Sequence, residues 1–254
     1  MARERRRRHC NESVLPHGRY KPATPKSHVM QNPSSSEISC VELETGPNPS
    51  ASVIWLHGLG ADGHDFEPIA PELVRPGERS LRFVFPHAPV RPVTLNNGYR
   101  MRAWYDIHSL ERLAMQDEAG IRASHAIVES LIRRENERGI RTDRIVLAGF
   151  SQGGAMSLYS GTRYPEKLAG IIGLSCYLLL ESQLTTEKVA ANQATPIFLG
   201  HGSQDPVVNP ILGQESRRVL EQEGYAVEWH SYPMPHSVCP QEVADIAAWL
   251  RRVL

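Results

Sequence analysis

The sequence predicts an α/β fold, a mostly parallel sheet with helices on both faces. Three observations support this prediction. From Ile38 onward, short β-rich runs alternate with helical stretches, which is typical of parallel sheets with crossover helices. Most of the later strand candidates are nearly continuous apolar runs, as strands buried on both faces require. A chain of 254 residues with 41% hydrophobic content can bury one sizeable core, so we expect a single folded domain over 37–254.

Residues 1–36 form a basic leader that precedes this domain. They hold eight Lys or Arg against two Glu, with five Arg among the first eight residues. Their Pro, Ser and Asn content predicts disorder. No apolar segment follows the charged start, so the leader does not fit a secretory signal. An arginine run can attract nucleic acid or anionic lipid, but we favour a solvated tail or an upstream translation start.

Seven segments have the β-branched and aromatic content of strands and end at turn residues. In chain order they are ISCVELE (38–44), SVIWLHG (52–58), LRFVFP (81–86), RIVLAGF (144–150), LAGIIGLS (168–175), PIFLGHG (196–202) and AVEWHSY (226–232). In open α/β sheets, ligands bind beyond the carboxyl ends of the strands. We therefore expect functional residues directly after these segments.

Amphipathic helices are expected between the strands. One has an apolar stripe that ends before Gly139, a helix stop signal; the stripe consists of Ile121, Val128, Leu131 and Ile132. A second stripe predicts a helix at the end of the chain and consists of Val243, Ile246, Ala247, Leu250 and Val253. A further helix is expected to begin at Ser151.

Composition excludes several functional classes. The leader's positive charge is balanced by an excess of six acidic side chains in the remaining 218 residues, which argues against a nucleic-acid surface on the domain. Four cysteines lie without C-x-x-C or metal-ligand spacing, which predicts free thiols in a reducing, cytoplasmic compartment. No apolar run reaches the roughly 20 residues of a membrane span, so stable membrane insertion is not expected. The sequence leaves a homodimer open.

Ser151 is the strongest candidate for a reactive group. It lies in GFSQG, between a predicted strand and a predicted helix, where G-x-S-x-G marks a sharp turn that exposes a nucleophile. Gly149 and Gly153 remove side chains that would collide at such a turn. The helix that follows directs free N–H groups and its positive dipole end toward an anion formed there. The simpler alternative is a serine that caps an ordinary helix.

Asp205 and His236 complete a candidate catalytic triad. Serine needs a base, and the base needs a carboxylate that orients it. Asp205 follows the strand PIFLGHG and His236 follows the next one, so both are expected on the same rim as Ser151, in the chain order typical of this turn. Taken singly, Asp205 could be a turn residue before Pro206, and His236 a loop residue without a role.

Other candidates fit less well. His230 lies inside its strand, Asp245 lies on the last helix, and Asp143 precedes its strand and so belongs to the opposite rim. Cys176 and Cys239 do not occupy glycine-flanked turns and are expected to be inert thiols.

An oxyanion site is expected beside Ser151. The Gly-rich loop in WLHGLGADGHDF follows a predicted strand, and the N–H groups of Leu59 and Gln152 are the best-placed donors. Each such donor contributes on the order of 3 to 4 kcal/mol to acyl transfer. The alternative is a plain Gly-rich turn that leads into a helix from about His64.

Two further classes are disfavoured. A metal enzyme would use the histidines, which include His57 and His64 in one loop, but there is no H-E-x-x-H and no tight cluster with a carboxylate. A non-catalytic binding module on such a scaffold would be expected to have a damaged triad or donor loop. This sequence has no such damage.

Together, LHGLGADGHDF, GFSQGGAMSL, HGSQDPVV and YPMPHSV resemble the phospholipase/carboxylesterase family of α/β hydrolases, which includes acyl-protein thioesterases. PHAPVRPVTLNNGYRMRAWYDI (86–107) resembles its bacterial carboxylesterase branch. By this resemblance Ser151, Asp205 and His236 match the family triad, and Leu59 and Gln152 its oxyanion donors. Pro235 stands where many members have Gly; Pro fixes one backbone angle and removes an N–H, which affects the shape of the loop but not the triad.

The resemblance implies an α/β-hydrolase fold and a serine carboxylesterase that cleaves small-molecule esters with short-to-medium acyl chains, without cofactor or metal. An acyl-protein thioesterase or lysophospholipase is the alternative on the same site. The connection from His87 to Leu110 is long enough to carry function. Its apolar residues either line an acyl site or pack against one another; they are Val90, Val93, Leu95, Tyr99, Met101, Trp104 and Tyr105. Trp104, Tyr105 and Asp106 are expected to be structural.

Overall fold

The computed structural model of the protein describes residues 38–75, 77–109 and 116–254. The predicted leader, Cys10 and Leu110 lie outside the described residues. The seven predicted strands form one seven-stranded sheet. A separate two-stranded hairpin lies between the third and fourth of them along the chain.

All seven strands of the large sheet fall at the predicted places; the third of them along the chain has the predicted bounds, and the other six are slightly shorter than the predicted segments. Numbered in chain order with the hairpin strands included, they are β1 (Cys40–Glu44), β2 (Ala51–Leu56), β3 (Leu81–Pro86), β4 (Val90–Val93), β5 (Tyr99–Arg102), β6 (Ile145–Phe150), β7 (Gly170–Leu174), β8 (Ile197–Gly202) and β9 (Val227–Tyr232). The large sheet has the order β1-β3-β2-β6-β7-β8-β9. Only β1 is antiparallel to its neighbour, which confirms the mostly parallel sheet.

In the described part of the chain, six α-helical segments accompany the strands. They are α1 (Ala70–Leu73), α2 (Glu118–Glu137), α3 (Gln152–Arg163), α4 (Leu184–Glu187), α5 (Pro210–Gln222) and α6 (Pro240–Val253). The two helices with predicted apolar stripes are α2 and α6. After α2, Gly139 adopts a φ of 91°, a left-handed conformation that glycine accepts at a helix end. The Gly-rich loop after β2 leads into a short 3-10 turn, Glu67–Ile69, and α1.

Two apolar clusters cover the two faces of the sheet. On one face, α2, α3 and α5 bury Ile121, Leu158 and Leu220 against the strands. On the other face, α1 and α6 bury Leu73 and Ile246. Because strands β2, β6 and β7 contribute to both clusters, their sequences have to be apolar on both sides. The predicted arrangement of helices on both faces is confirmed.

The hairpin β4–β5 is a difference from the sequence analysis, which treated residues 87–110 as an irregular connection. Its strands are joined by a five-residue loop that contains the 3-10 turn Thr94–Asn96 and ends with Asn97 at a φ of 54° and Gly98 at a φ of 74°, left-handed conformations that favour Asn and Gly. The Gly60 N–H donates to the Arg102 carbonyl over 2.9 Å. The hairpin is thereby attached to the Gly-rich loop after β2.

The carboxyl ends of four neighbouring strands are linked by a row of backbone hydrogen bonds. The N–H of Ser151, directly after β6, donates to the carbonyl of Leu174 at the end of β7 over 2.8 Å. The N–H of Ser175, directly after β7, donates to the carbonyl of Gly200 in β8, also over 2.8 Å. Ser203 N–H then donates to the Tyr232 carbonyl at the end of β9, over 2.7 Å. The rim where the candidate site residues lie is therefore one connected backbone surface.

Candidate active site

Ser151 occupies a strained turn between β6 and α3. Its backbone has a φ of 54° and a ψ of −120°, a combination that L-residues rarely adopt and that costs on the order of 1–3 kcal/mol. Such strain is maintained only where the surroundings fix the backbone, and the Ser151 N–H is held by the Leu174 carbonyl. The turn therefore has the geometry that the G-x-S-x-G pattern predicts.

The flanking glycines make this turn fit. A Cβ on Gly149 would overlap the backbone of Gly153, and a Cβ on Gly153 would overlap the Leu56 carbonyl. A Cβ on Gly154 would be less crowded, because it would lie 2.8 Å from the Gly149 oxygen. The two glycines of the predicted motif thus allow α3 to begin directly against β2 and β6.

Asp205 and His236 are brought together at the ends of β8 and β9. The Asp205 Oδ2 and His236 Nδ1 atoms lie 2.6 Å apart, so the imidazole donates to a carboxylate. The Asp205 side chain is fully buried, and its Oδ1 accepts from the N–H groups of Val207 and Val208, each over 2.9 Å. The Gln204 N–H donates to the Met234 carbonyl over 3.1 Å, which joins the two loops.

The His236 ring lies beside the Ser151 turn. Its centroid is 4.7 Å from that of Phe150, the residue before Ser151. Among the described residues, no hydrogen bond joins Ser151 Oγ to His236, although both belong to the same rim. Catalytic hydrogen bonds are often long or poorly aligned without substrate. The three residues therefore share one site, and their catalytic roles remain a prediction.

The two predicted oxyanion donors also lie at this site. Gly58 packs against Ser151, since a Cβ on Gly58 would be 3.5 Å from the Ser151 Cβ, and Leu59 follows Gly58. Within the described ranges, the N–H groups of Leu59 and Gln152 donate to no protein acceptor. Gln152 is the first residue of α3, where the helix dipole favours negative charge. Both N–H groups are thus free to receive an anion.

The sequence analysis missed what three buried side chains do here. It considered His57 only as a metal ligand, Gln152 only as a backbone donor and Trp104 only as structural. Burial of His57 lowers its pKa to about 4, so the ring is neutral. Its two nitrogens are hydrogen bonded to Gly58 and Ala88. His57 thus acts as a buried hydrogen-bonding residue for the Gly-rich loop. Its position directly before that loop is the sequence signal that could have indicated this.

The disfavoured candidates lie where other roles explain them. His230 stacks on Phe198 with centroids 4.9 Å apart and pairs with Glu228 over 2.9 Å. Asp245 accepts from the Tyr232 hydroxyl over 3.0 Å. Asp143 pairs with Arg141 before β6, at the opposite rim.

Cysteine and metal alternatives gain no support from the described residues. Cys176 is a buried free thiol whose pKa is raised by burial, which keeps it protonated and unreactive. Cys239 is a partly buried free thiol next to α6. Within the described ranges no three His, Cys, Asp or Glu side chains are grouped as metal ligands.

The apolar residues of the connection around the hairpin divide into buried and exposed ones. Val93, Trp104 and Tyr105 are buried, whereas Leu95 and Tyr99 are exposed, Tyr99 by 71%. Trp104 and Tyr105 are therefore packing residues.

Of the helices in the described part of the chain, none is long and apolar enough to cross a membrane.

Comparison with known proteins identifies relatives of this chain. The family model described as Phospholipase/Carboxylesterase matches residues 38–254. Acyl-protein thioesterase 1 of Neurospora crassa is 46% identical over 211 residues, which cover 79% of this chain and 86% of the relative. The crystal structure of Arabidopsis thaliana SOBER1 is 31% identical with a TM-score of 0.76, over 80% of this chain and 98% of that one. The structure of esterase PE8 is 28% identical with a TM-score of 0.75, over 86% and 100%.

Proposed function

Because the chain belongs to the phospholipase/carboxylesterase family, we propose that it is an acyl-protein thioesterase that acts through Ser151, Asp205 and His236. Family membership confirms the α/β-hydrolase fold and makes the chain a serine hydrolase. The observation that carries the proposal is the 2.6 Å Asp205–His236 pair beside a strained, glycine-packed serine. This is the arrangement that nucleophilic acyl transfer needs.

In the acylation step, Ser151 Oγ forms a bond to the acyl carbonyl carbon, and its proton passes to the free nitrogen of His236. The carbonyl oxygen becomes an oxyanion that the N–H groups of Leu59 and Gln152 stabilise. Asp205 holds the imidazole in the required tautomer and stabilises its positive charge. The carbon–sulfur bond then breaks, and the thiol leaves with the proton from His236.

In the deacylation step, water replaces the thiol. His236 takes a proton from water as the water oxygen attacks the Ser151 ester, and the same two N–H groups stabilise the second oxyanion. The Ser151 oxygen leaves and regains its proton from His236. The products are a free fatty acid and the original enzyme.

The relatives favour the thioesterase, which the sequence analysis gave as its alternative, over a carboxylesterase for small esters. The Neurospora crassa relative is named acyl-protein thioesterase 1 and is 46% identical. Beside Asp205, Val207 is half exposed and offers apolar surface to an acyl chain at the rim. A thiol, with an ordinary pKa of about 8.5, is also an easier leaving group than an alcohol.

The test compares two matched peptides, one palmitoylated through a cysteine sulfur and one through a serine oxygen. We expect a higher kcat/KM for the thioester, and no turnover of either peptide by Ser151→Ala. Equal or higher activity on the oxygen ester would contradict the thioesterase assignment. Full activity of Ser151→Ala would overturn the site.

A carboxylesterase is the second candidate, supported by the likeness to esterase PE8 over 86% of this chain. A panel of p-nitrophenyl esters of rising chain length tests it. A preference for short chains together with a slow thioester reaction would favour this candidate. A preference for long chains would favour the thioesterase.

A further inference from the structure

Three buried side chains form a hydrogen-bonded chain between the two proposed oxyanion donors. Gln152, Trp104 and His57 are each no more than 2% exposed. Gln152 carries one donor N–H, and His57 lies two residues before Leu59, which carries the other. The two donors come from sequence segments more than 90 residues apart, so their spacing depends on contacts such as these.

At the Gln152 end, the side-chain amide is fixed by the backbone of the next segment. Its Oε1 accepts from the Trp104 N–H over 2.8 Å, and its Nε2 donates to the Tyr105 carbonyl over 2.8 Å. Because backbone N–H groups only donate and carbonyls only accept, the amide has a single allowed orientation. The first residue of α3 is thereby held against the Trp104–Tyr105 segment.

In the middle, Trp104 connects this segment to the loop after β2. Its indole Nε1–H donates to the His57 carbonyl over 3.0 Å. The Trp104 carbonyl accepts from the Ser124 hydroxyl on α2, so the segment is also anchored to the core. The rings of His57 and Trp104 pack with centroids 5.4 Å apart.

At the other end, the His57 ring orients the peptide that carries the second donor. The Ala88 N–H donates to His57 Nε2 over 3.0 Å, so Nε2 is an acceptor, and His57 Nδ1–H donates to the Gly58 carbonyl over 2.7 Å. That carbonyl and the Leu59 N–H belong to one peptide unit. In a trans peptide they point in opposite directions, so the bond from His57 holds the Leu59 N–H facing away from the ring.

We propose that Gln152, Trp104 and His57 are positioning residues that together fix the direction and separation of the two oxyanion donors. This inference rests on the proposed function, since it concerns the oxyanion formed on Ser151. Donors stabilise a developing charge best when they are oriented before the reaction. Hydrogen bonding to the Gly58 carbonyl also polarises the same peptide, which strengthens the Leu59 N–H as a donor.

The experiment uses Trp104→Phe, which removes the indole N–H, with Trp55→Phe as the matched control. Trp55 is buried on β2, and its Nε1 has no hydrogen-bond partner among the described residues. Both changes shrink a core side chain equally, but only the change at Trp104 breaks the chain of hydrogen bonds. We expect Trp104→Phe to lower kcat at least 10-fold with little change in KM, since a whole oxyanion donor is worth about 10²- to 10³-fold. We expect Trp55→Phe to retain the wild-type kcat.

A trifluoromethyl ketone with a long alkyl chain supplies the decisive readout. Ser151 adds to its carbonyl carbon, the serine proton passes to His236, and the resulting oxyanion occupies the donor site. The inhibition constant should weaken in Trp104→Phe by the same factor as kcat/KM falls. If Trp104 served only in packing, the inhibition constant of Trp104→Phe would stay at the wild-type value.

A second pair of variants keeps the test valid if Trp104→Phe does not fold. His57→Asn retains an N–H near the Nδ1 position, whereas His57→Leu has none. We expect the Asn variant to bind the ketone more tightly than the Leu variant. Folded variants that bind the ketone as tightly as wild type would overturn the inference. A wild-type enzyme that forms no adduct at Ser151 would instead overturn the proposed function on which the inference rests.

Discussion

Asp205 binds His236 with one carboxylate oxygen and two backbone N–H groups with the other. Asp205→Asn would keep the size of the side chain but remove the charge and favour the wrong imidazole tautomer. We expect kcat to fall by on the order of 10³- to 10⁴-fold with the fold intact, measured by hydrolysis of a p-nitrophenyl ester. Asp143→Asn, on the opposite rim, is the control and should retain activity. Similar losses in both variants would contradict the role of Asp205.

Gly153 is the residue on which the Ser151 turn depends most directly, because a Cβ there would overlap the Leu56 carbonyl. Gly153→Ala should therefore lower both stability and activity, with a cost of about 1–3 kcal/mol from overpacking. Gly46→Ala is the matched control, since its Cβ would lie at an ordinary 3.4 Å from Ser80 Oγ. Thermal unfolding and ester hydrolysis of the two variants check the prediction. Unchanged melting of Gly153→Ala would refute it.

At the same scale, the sequence predicted positions better than side-chain partners. Ser151, Asp205 and His236 could be placed on one rim because each follows a predicted strand. The hydrogen bonds of Gln152 could not be predicted, because they join residues 47 and 48 positions apart. Such partners depend on how a long connection packs, and neither motif nor periodicity encodes that packing.

Among the elements, α2 is attached to the sheet by a buried carboxylate. Glu135 is fully buried and accepts from the Ser52 hydroxyl, and from Arg82 and Arg138 over 2.9 Å each. Since Arg82 is itself nearly buried, losing Glu135 would leave its charge paired only with Glu44, which is 43% exposed. The carboxylate therefore joins the helix to β2 and β3.

Glu135→Ala should lower the free energy of unfolding by about 3–5 kcal/mol, the usual cost of breaking a buried ion pair from one side. Glu44→Ala removes the other carboxylate that Arg82 contacts, but Glu44 is 43% exposed, and we expect a loss of only about 0–1 kcal/mol. Urea denaturation of both variants measures the difference. Equal losses of unfolding free energy in the two variants would show that burial of an ion pair does not determine how much it contributes to stability.

The elements also show where sequence patterns are insufficient. Long apolar runs identified β6 to β8, because a strand buried on both faces needs apolar residues at nearly every position. The hairpin was missed, since β4 has four residues and contains Pro92, which removes a ladder donor. The Asn97–Gly98 pair was its available signal.

For the whole molecule, Glu242 links stability to pH. Both of its carboxylate oxygens are buried without a hydrogen-bond partner among the described residues, and Oε1 packs against the backbone of Gly200. Asp245 is the nearby charged group and Tyr232 the nearby titratable hydroxyl. Burial, with a smaller contribution from Asp245, raises the pKa of Glu242 from its ordinary value of 4.5 to about 8.

This pKa shift lowers stability as the pH rises. Below pH 4.5 both the folded and unfolded states hold the proton; between 4.5 and about 8 only the folded state does, so deprotonation favours unfolding across that window. Glu242→Gln cannot ionise and should be more stable than wild type by on the order of a few kcal/mol near pH 8, with a much smaller gain near pH 4.5. Thermal unfolding at the two pH values tests this, with exposed Glu72→Gln as control. An equal gain at both pH values would contradict it.

The backbone row along the rim has a consequence for how the molecule opens. Because each strand end is tied to the next, we expect the amides of Ser151, Ser175 and Ser203 to open as one unit. In heavy water these three amide hydrogens should therefore exchange slowly and together, at the rate of global unfolding rather than of local fraying. Ser151 would then belong to the last part of the chain to unfold, although its own backbone is strained.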